Sequence, residues 1–239
     1  MSMLYRDHGI VLRTYKLGES DRIVSFMTER HGKVRAVAKG VRKTKSRFGA
    51  RLEPTSHVAI QLYEGRELDI VTQAESVDHF RELRDDLDRL TRAVSMLEAV
   101  DQMSLEGEPN ARLYQMLLGA LRTLAAEDSP LVLAGFFLKL LALEGFRPVV
   151  DRCATCGATE GLVAFDLTEG GLLCLVDRRG AAVSAEAVGL LQDILGGRLT
   201  SALAEPRSAA TNEVDHLATR ALEQMLERRL RSIGLLDRG

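Results

Sequence analysis

The first eighty residues alternate apolar and polar side chains at a period of two. "GKVRAVAKG" places Lys33, Arg35, Val37 and Lys39 on one side and Val34, Ala36 and Ala38 on the other. In "HVAIQLY", Val58, Ile60 and Leu62 share a side. "GIVLRTY", "RIVSFMT" and "ELDIVTQAE" are further apolar, β-branched runs, and turn-prone segments such as "LGESD" and "EGR" separate them. Five short strands, with no helix-length gap between them, predict a small antiparallel barrel or sandwich.

Near Asp78 the period changes. Leu83, Leu87, Leu90, Val94, Leu97, Val100 and Met103 recur at three- and four-residue steps, which predicts one amphipathic helix. "EGEPN" breaks it. Leu113, Met116, Leu117, Ala120, Leu121 and Leu124 predict a second helix. "SPLVLAGFFLKLLALEGF" predicts a third, with Ser129 as cap, Pro130 in the first turn and Gly145 at the end. It is apolar on nearly all sides, which places it at the centre of a bundle. Residues 149 to 181 are irregular and contain cysteine and glycine. Helices resume at the cap Ser184 with "EAVGLLQDIL", closed by Gly196 and Gly197, and a last helix is expected from about Glu213 to Ile233. The pattern describes an α+β multidomain chain. A β-domain spans 1–79, a helical bundle is split between 80–148 and 183–239, and a small insert fills 149–182.

Composition narrows the class. Hydrophobic residues at 46% and charged residues at 28% suit a globular protein with a sizeable core. No apolar run is long enough for a membrane span. The N-terminus, with Arg6, Asp7 and Arg13, does not read as a signal peptide. An odd count of three cysteines, two of them in a CxxC pair, points to metal or redox use in the cytoplasm. No GxSxG, GxxxxGK[ST] or HExxH occurs, and the five histidines fall in no catalytic motif, so no catalysis is expected.

Charge is unevenly distributed. Residues 1 to 80 hold 14 basic and 10 acidic side chains, a net +4, against 18 and 24, a net −6, in the rest. From Lys33 to Arg51 there are eight cations and no acid: Lys33, Arg35, Lys39, Arg42, Lys43, Lys45, Arg47 and Arg51. A stripe of one sign focuses field and attracts polyanions, and on a small barrel the natural partner is nucleic-acid backbone. A solvated loop is the alternative. Tyr15, Phe26, Phe48 and Tyr63 are candidate stacking residues, with core packing as the competing use of each. No base-reading motif is present, so contact through phosphate is expected.

Cys153 and Cys156 are spaced as two zinc thiolates, and Cys174 follows after seventeen intervening residues, as in a four-ligand ribbon. Asp177 stands where the fourth cysteine belongs. A carboxylate binds zinc, so a Cys3Asp site is chemically sound, though harder than four thiolates. The other reading is a metal-free ribbon held by Leu162, Phe165, Leu172 and Leu173. A thioredoxin-type pair lacks its strand–CxxC–helix context, and a zinc deaminase lacks its His-x-Glu. No organic cofactor is indicated.

"GIVLRTYKLGESDRIVSFMTERHGKVRAVAKGVRKTKSRFGARLEP", together with "QLYEGRELDIVTQAE", "LLALEGFRP" and "DRCATCG", resembles the bacterial RecO family of DNA repair and recombination mediators, in order along nearly the whole chain. The resemblance implies an N-terminal OB-fold, a helical domain and a zinc-ribbon-like insert. It implies binding of single- and double-stranded DNA and annealing of complementary strands. It further implies contact with single-stranded DNA-binding protein and with RecR, and loading of RecA, in the cytoplasm at the nucleoid and without a chemical reaction. The family's basic surface lands on the eight cations named above, with Lys39 and Arg42 foremost, and its cysteine ribbon on Cys153, Cys156, Cys174 and Asp177. An RNA-binding OB protein with a zinc ribbon is the competing reading, and a metalloenzyme built on the cysteine module is a third.

Overall fold

The computed structural model describes residues 3–43, 46 and 48–233. Five strands, β1 (Leu4–Leu17), β2 (Asp21–Thr28), β3 (Gly32–Ala38), β4 (His57–Tyr63) and β5 (Asp69–Asp78), close into a barrel in the order β1-β2-β3-β5-β4. β1 is long because it pairs twice. Its first half runs beside β4, from Leu4 opposite Tyr63 to Ile10 opposite His57. Its second half runs beside β2, to Leu17 opposite Asp21, with a bulge between Val11 and Arg13. The polar start "LYRDH" hides that first half from a hydrophobicity reading. One pairing is parallel: β3 meets β5 at Ala36–Asp69 and Val37–Ile70. The chain enters β4 beside β1, and β5, antiparallel to β4, fills the gap to β3. This strand order in a five-stranded closed barrel is the OB-fold arrangement.

Alternation decides which face is buried. Val24, Phe26, Ala36, Ala38, Val58, Ile60, Leu62 and Val71 point inward, and Phe48 and Leu52, at a 3-10 turn over Gly49–Leu52, join them. Phe26 and Phe48 are therefore core side chains, while Tyr15 and Tyr63 remain exposed.

The helix expected from Leu83 to Met103 is two helices. α1 (Arg81–Arg84) stops at Asp85, and α2 (Leu87–Met103) starts after Asp86, whose carboxylate accepts from the Arg89 N–H at 3.0 Å. A capping aspartate thus restarts the helix within an unbroken leucine pattern. Leu87, the first residue after that cap, is 79% exposed. Ala93, Met96, Leu97 and Val100 form the buried face. α3 (Ala111–Ala126) buries Leu113, Tyr114, Leu117, Leu118, Leu121 and Leu124.

The barrel and α1–α3 form one compact unit, which the chain rejoins from Leu230 onward. There the Ser232 hydroxyl and the Arg231 and Ser232 N–H groups donate to Glu98 on α2 at 2.7, 3.1 and 3.0 Å. Across the outer face of the barrel, Ser25 donates to Asp101 at 3.0 Å, and the Gly107 N–H donates to the Lys33 carbonyl at 2.9 Å.

Residues 127 to 229 form the second unit. α4 (Val132–Leu143) is buried on nearly every side, as its composition requires, and packs on the two helices described next. Those are α5 (Ala185–Gly196), capped by Ser184 and closed at Gly197, and α7 (Ala209–Leu226). A short α6 (Leu199–Leu203), absent from the sequence reading, lies between them in the chain. Two expected boundaries move. Ser129 does not cap α4; it accepts from the Leu131 N–H at 3.3 Å in the turn ahead of the helix. α7 begins at Ala209 rather than Glu213, because Ser208 and Thr211 form a reciprocal capping box, and it stops at Leu226, where Glu227 turns left-handed. The insert holds β6 (Leu162–Asp166), β7 (Gly171–Cys174) and β8 (Ala181–Ala182) in a small sheet ordered β7-β6-β8. Its hydrophobic centre joins Ala164 and Leu173 to Cys153 and Cys174.

Candidate functional site

The basic segment divides into two groups. Lys33 is turned away from solvent: its Nζ donates to the Asp101 carbonyl at 2.6 Å and lies 3.6 Å from that carboxylate. Arg35 sits 3.1 Å from Glu106. These two cations spend their charge on acids about seventy residues along the chain, in α2 and the loop after it. Lys39, Arg42, Lys43 and Arg51 are exposed. Lys45 and Arg47 lie outside the described residues.

The turn after β3 is held in place by backbone bonds. The Gly40 N–H donates to the Asp21 carboxylate at 2.7 Å, and the Arg42 N–H donates to the Ser20 carbonyl at 3.0 Å. The Arg42 guanidinium also donates to the Glu19 carbonyl at 2.9 Å. These bonds fasten the β3 turn to the β1–β2 turn, so Lys39, Arg42 and Lys43 project from one end of the barrel. Among the described residues, Lys39 and Lys43 make no ion pair. Arg22, behind them, is matched by Glu53 at 2.8 Å. Sequence reading overlooked Asp21. Its signal was a lone acid at the start of β2, opposite the Gly-containing end of β3.

The insert gathers the four predicted ligands. One donor atom each from Cys153, Cys156, Cys174 and Asp177 falls within 4.8 Å of the others. Cys156 Sγ is 3.7 Å from Cys174 Sγ, and Asp177 Oδ2 is 3.3 Å from Cys153 Sγ and 3.4 Å from Cys174 Sγ. A zinc ion about 2.3 Å from each thiolate, at the tetrahedral angle, separates two sulfurs by about 3.8 Å. The donor set fits. Two tight turns bring it together. In the first, the Gly157 N–H donates to the Cys153 carbonyl at 2.9 Å, and the Cys153 N–H to the Ala158 carbonyl at 2.7 Å. The second runs from Cys174 to Asp177. The thiols of Cys156, Cys153 and Cys174 hold the Asp177 carboxyl below its ordinary range, and that carboxylate pushes the Cys156 thiol up to about 12. Leu172 and Leu173 are fully buried and Phe165 nearly so, so the hydrophobic support expected of the ribbon is present as well. Arg179 is drawn to Glu169 at 2.5 Å and to Asp166 at 4.0 Å.

No helix among the described residues is long and apolar enough to cross a membrane.

Comparison with known proteins agrees across the chain. A family model described as Recombination protein O N terminal matches residues 1–80, and one described as Recombination protein O C terminal matches residues 84–234. The DNA repair protein RecO of Frankia casuarinae is 45% identical over 241 residues, covering 98% of this chain and 99% of that protein. The DNA repair protein RecO of Thermobifida fusca is 44% identical over 241 residues, with 98% and 99% covered, and that of a Nocardioides species 44% identical over 246, with 99% and 100% covered. With both halves matched and full-length relatives at this identity, the chain belongs to the RecO family.

Proposed function

We propose that this protein is a DNA repair and recombination mediator that binds single- and double-stranded DNA and anneals complementary strands. The observation that carries this reading is the exposed trio Lys39, Arg42 and Lys43, fastened to the end of a closed OB barrel. Phosphates neutralised by such a group release counterions, which favours binding irrespective of sequence. A fixed basic edge also lowers the repulsion between two strands brought together, which is the physical requirement of annealing. No bond is made or broken in this scheme, so the protein acts as a binder and not as an enzyme. Its expected partners are RecR, single-stranded DNA-binding protein and RecA, in the cytoplasm. In the same reading Cys153, Cys156, Cys174 and Asp177 hold a zinc ion, which supplies stability to the insert rather than chemistry.

The test is annealing of two complementary labelled oligonucleotides as a function of salt. The wild type is expected to anneal at low salt and fail at high salt. Lys39→Glu, Arg42→Glu and Lys43→Glu combined should abolish annealing while leaving the circular dichroism unchanged. Wild-type affinity in that variant would remove the site assignment.

A further inference from the structure

One row of outward side chains runs across all five strands. Tyr15 on β1 is opposite Ile23 on β2, Ile23 opposite Val37 on β3, Val37 opposite Ile70 on β5, and Ile70 opposite Tyr63 on β4. Ile23, Val37, Ile70 and Tyr63 each adjoin an inward residue of their strand, Val24, Ala36, Val71 and Leu62, so the row lies on the outside of the barrel, and Tyr15 stands at its end opposite Ile23. It is not covered there. Tyr15 is 40% exposed and Tyr63 42%, while Ile23, Val37 and Ile70 are half-buried. The adjacent row is covered: Ser25 is buried beneath α2 and bonded to Asp101.

The two ends of the row differ in charge. Arg13 and Lys16 flank Tyr15 on β1, and the Arg13 guanidinium lies 4.7 Å from the centroid of the Tyr15 ring. Around Tyr63 stand Glu64, Glu67 and Asp69, with Arg66 among them. With Arg13 over its ring, Tyr15 is still 40% exposed, which leaves aromatic surface for a flat partner. With Arg13 and Lys16 beside it on β1, and Lys39 and Arg42 exposed at the β3 turn, the flat partner that matches is an unpaired base with its phosphates. A paired base is stacked within its duplex and offers no such face.

We propose that Tyr15, steadied by Arg13, is a stacking platform for the bases of single-stranded nucleic acid. It gives the protein a preference for single over double strands that its phosphate contacts do not supply. This rests on the DNA-binding reading above. Tyr63, equally exposed in the same row but set among acids, takes no part.

Fluorescence anisotropy with labelled oligothymidylate and with a labelled hairpin duplex tests it. Tyr15→Ala is expected to weaken oligothymidylate binding about tenfold, the lower part of the range for one base stacked on a ring. Duplex binding should stay within about twofold of wild type, and Tyr63→Ala should leave both affinities unchanged. The chain has no tryptophan, so Tyr15→Trp introduces a single indole, whose emission should be quenched by oligothymidylate and not by the duplex. Unchanged oligothymidylate affinity in Tyr15→Ala, an equal loss on both ligands, an equal loss from Tyr63→Ala, or an unquenched indole would each overturn the platform. If the Lys39, Arg42 and Lys43 reversal abolishes binding to both ligands while Tyr15→Ala binds as wild type, the platform fails and the phosphate site stands. If the reversal changes nothing while Tyr15→Ala loses oligothymidylate alone, the phosphate site fails and the platform stands.

Discussion

His57 Nε2 lies 2.7 Å from the Tyr114 hydroxyl, a hydrogen bond that ties β4 to α3. Both side chains are buried in the same compact unit. Tyr114→Phe keeps the ring and removes the partner, leaving His57 Nε2 unpaired away from water. The expected cost is about 1–3 kcal/mol, read from the urea midpoint. A midpoint equal to that of wild type would mean that the bond adds nothing net.

Burial holds the His57 pKa below its ordinary value, and His8 and Arg122 push it the same way against Asp78 and Glu29. The unfolded chain takes up a proton at this residue near pH 6.5, before the folded protein does. Stability should therefore fall as pH drops below about 6.5 and level off below the folded pKa. His57→Gln should flatten that part of the profile, measured by urea unfolding between pH 8 and 5. An identical slope in wild type and variant would assign the acid sensitivity elsewhere.

Gly32 has a positive φ of 67°, and a Cβ built on it would fall 1.8 Å from the Glu108 carbonyl oxygen. Backbone, not a flexible side chain, is in the way. Gly18 also has a positive φ, 59°, but meets nothing within 4 Å. Gly18→Ala should cost about 1–2 kcal/mol, the left-handed penalty alone. Gly32→Ala should cost clearly more and expose the loop between α2 and α3 to protease. Equal losses in melting temperature would show that the loop yields without penalty.

The cluster in the insert gives a prediction of opposite sign. Asp177→Cys completes four thiolates and should raise zinc affinity, whereas Cys156→Ser should lower it. The change expected in each is at least the roughly tenfold that loss of an outer-shell partner produces. Competition with a chromophoric chelator measures both. A wild type that retains no zinc after purification in its presence would leave the ribbon to packing by Phe165, Leu172 and Leu173.

Salt dependence counts phosphates. Each one neutralised on duplex DNA contributes about −0.9 to the slope of log affinity against log salt. Lys39→Ala with Lys43→Ala should make the slope shallower by about 1.8, whereas Lys33→Ala should leave it unchanged, since Lys33 is committed to Asp101. A slope that responds to Lys33 as strongly would place phosphate on the α2 side of the barrel.

Strands β3 and β4 were legible because inner residues alternate with outer ones, and nothing in "GKVRAVAKG" or "HVAIQLY" contradicts that rhythm, whereas the polar "LYRDH" hid the first half of β1. The cysteine cluster was legible because ligand spacing is local. The helix boundaries were less so. Leucine spacing carries through Leu87 without a gap, and only the capping role of Asp86 reveals the break. Ser208 and Thr211 close a capping box with a threonine where glutamate is the usual signal. The commitment of Lys33 and Arg35 was not legible at all, since Asp101 and Glu106 reach them only through the fold. The row from Tyr15 to Tyr63 depends on strand register and on the parallel meeting of β3 with β5, neither of which a list of residues contains.

The bond between Glu98 and Ser232 spans 134 positions of chain. Burial would raise the Glu98 carboxyl, but the hydrogen bonds from Ser232 and Arg231 bring it below its ordinary value. In a chain made from its N-terminus, Glu98 waits through the synthesis of the whole second unit before its donors arrive. The second unit is thus a parenthesis within the first, opened after Ala126 and closed before Leu230. A ribosome that stalled inside the parenthesis would leave Glu98 with the Gln102 amide, 3.0 Å away on the same helix, but without the donors from Arg231 and Ser232.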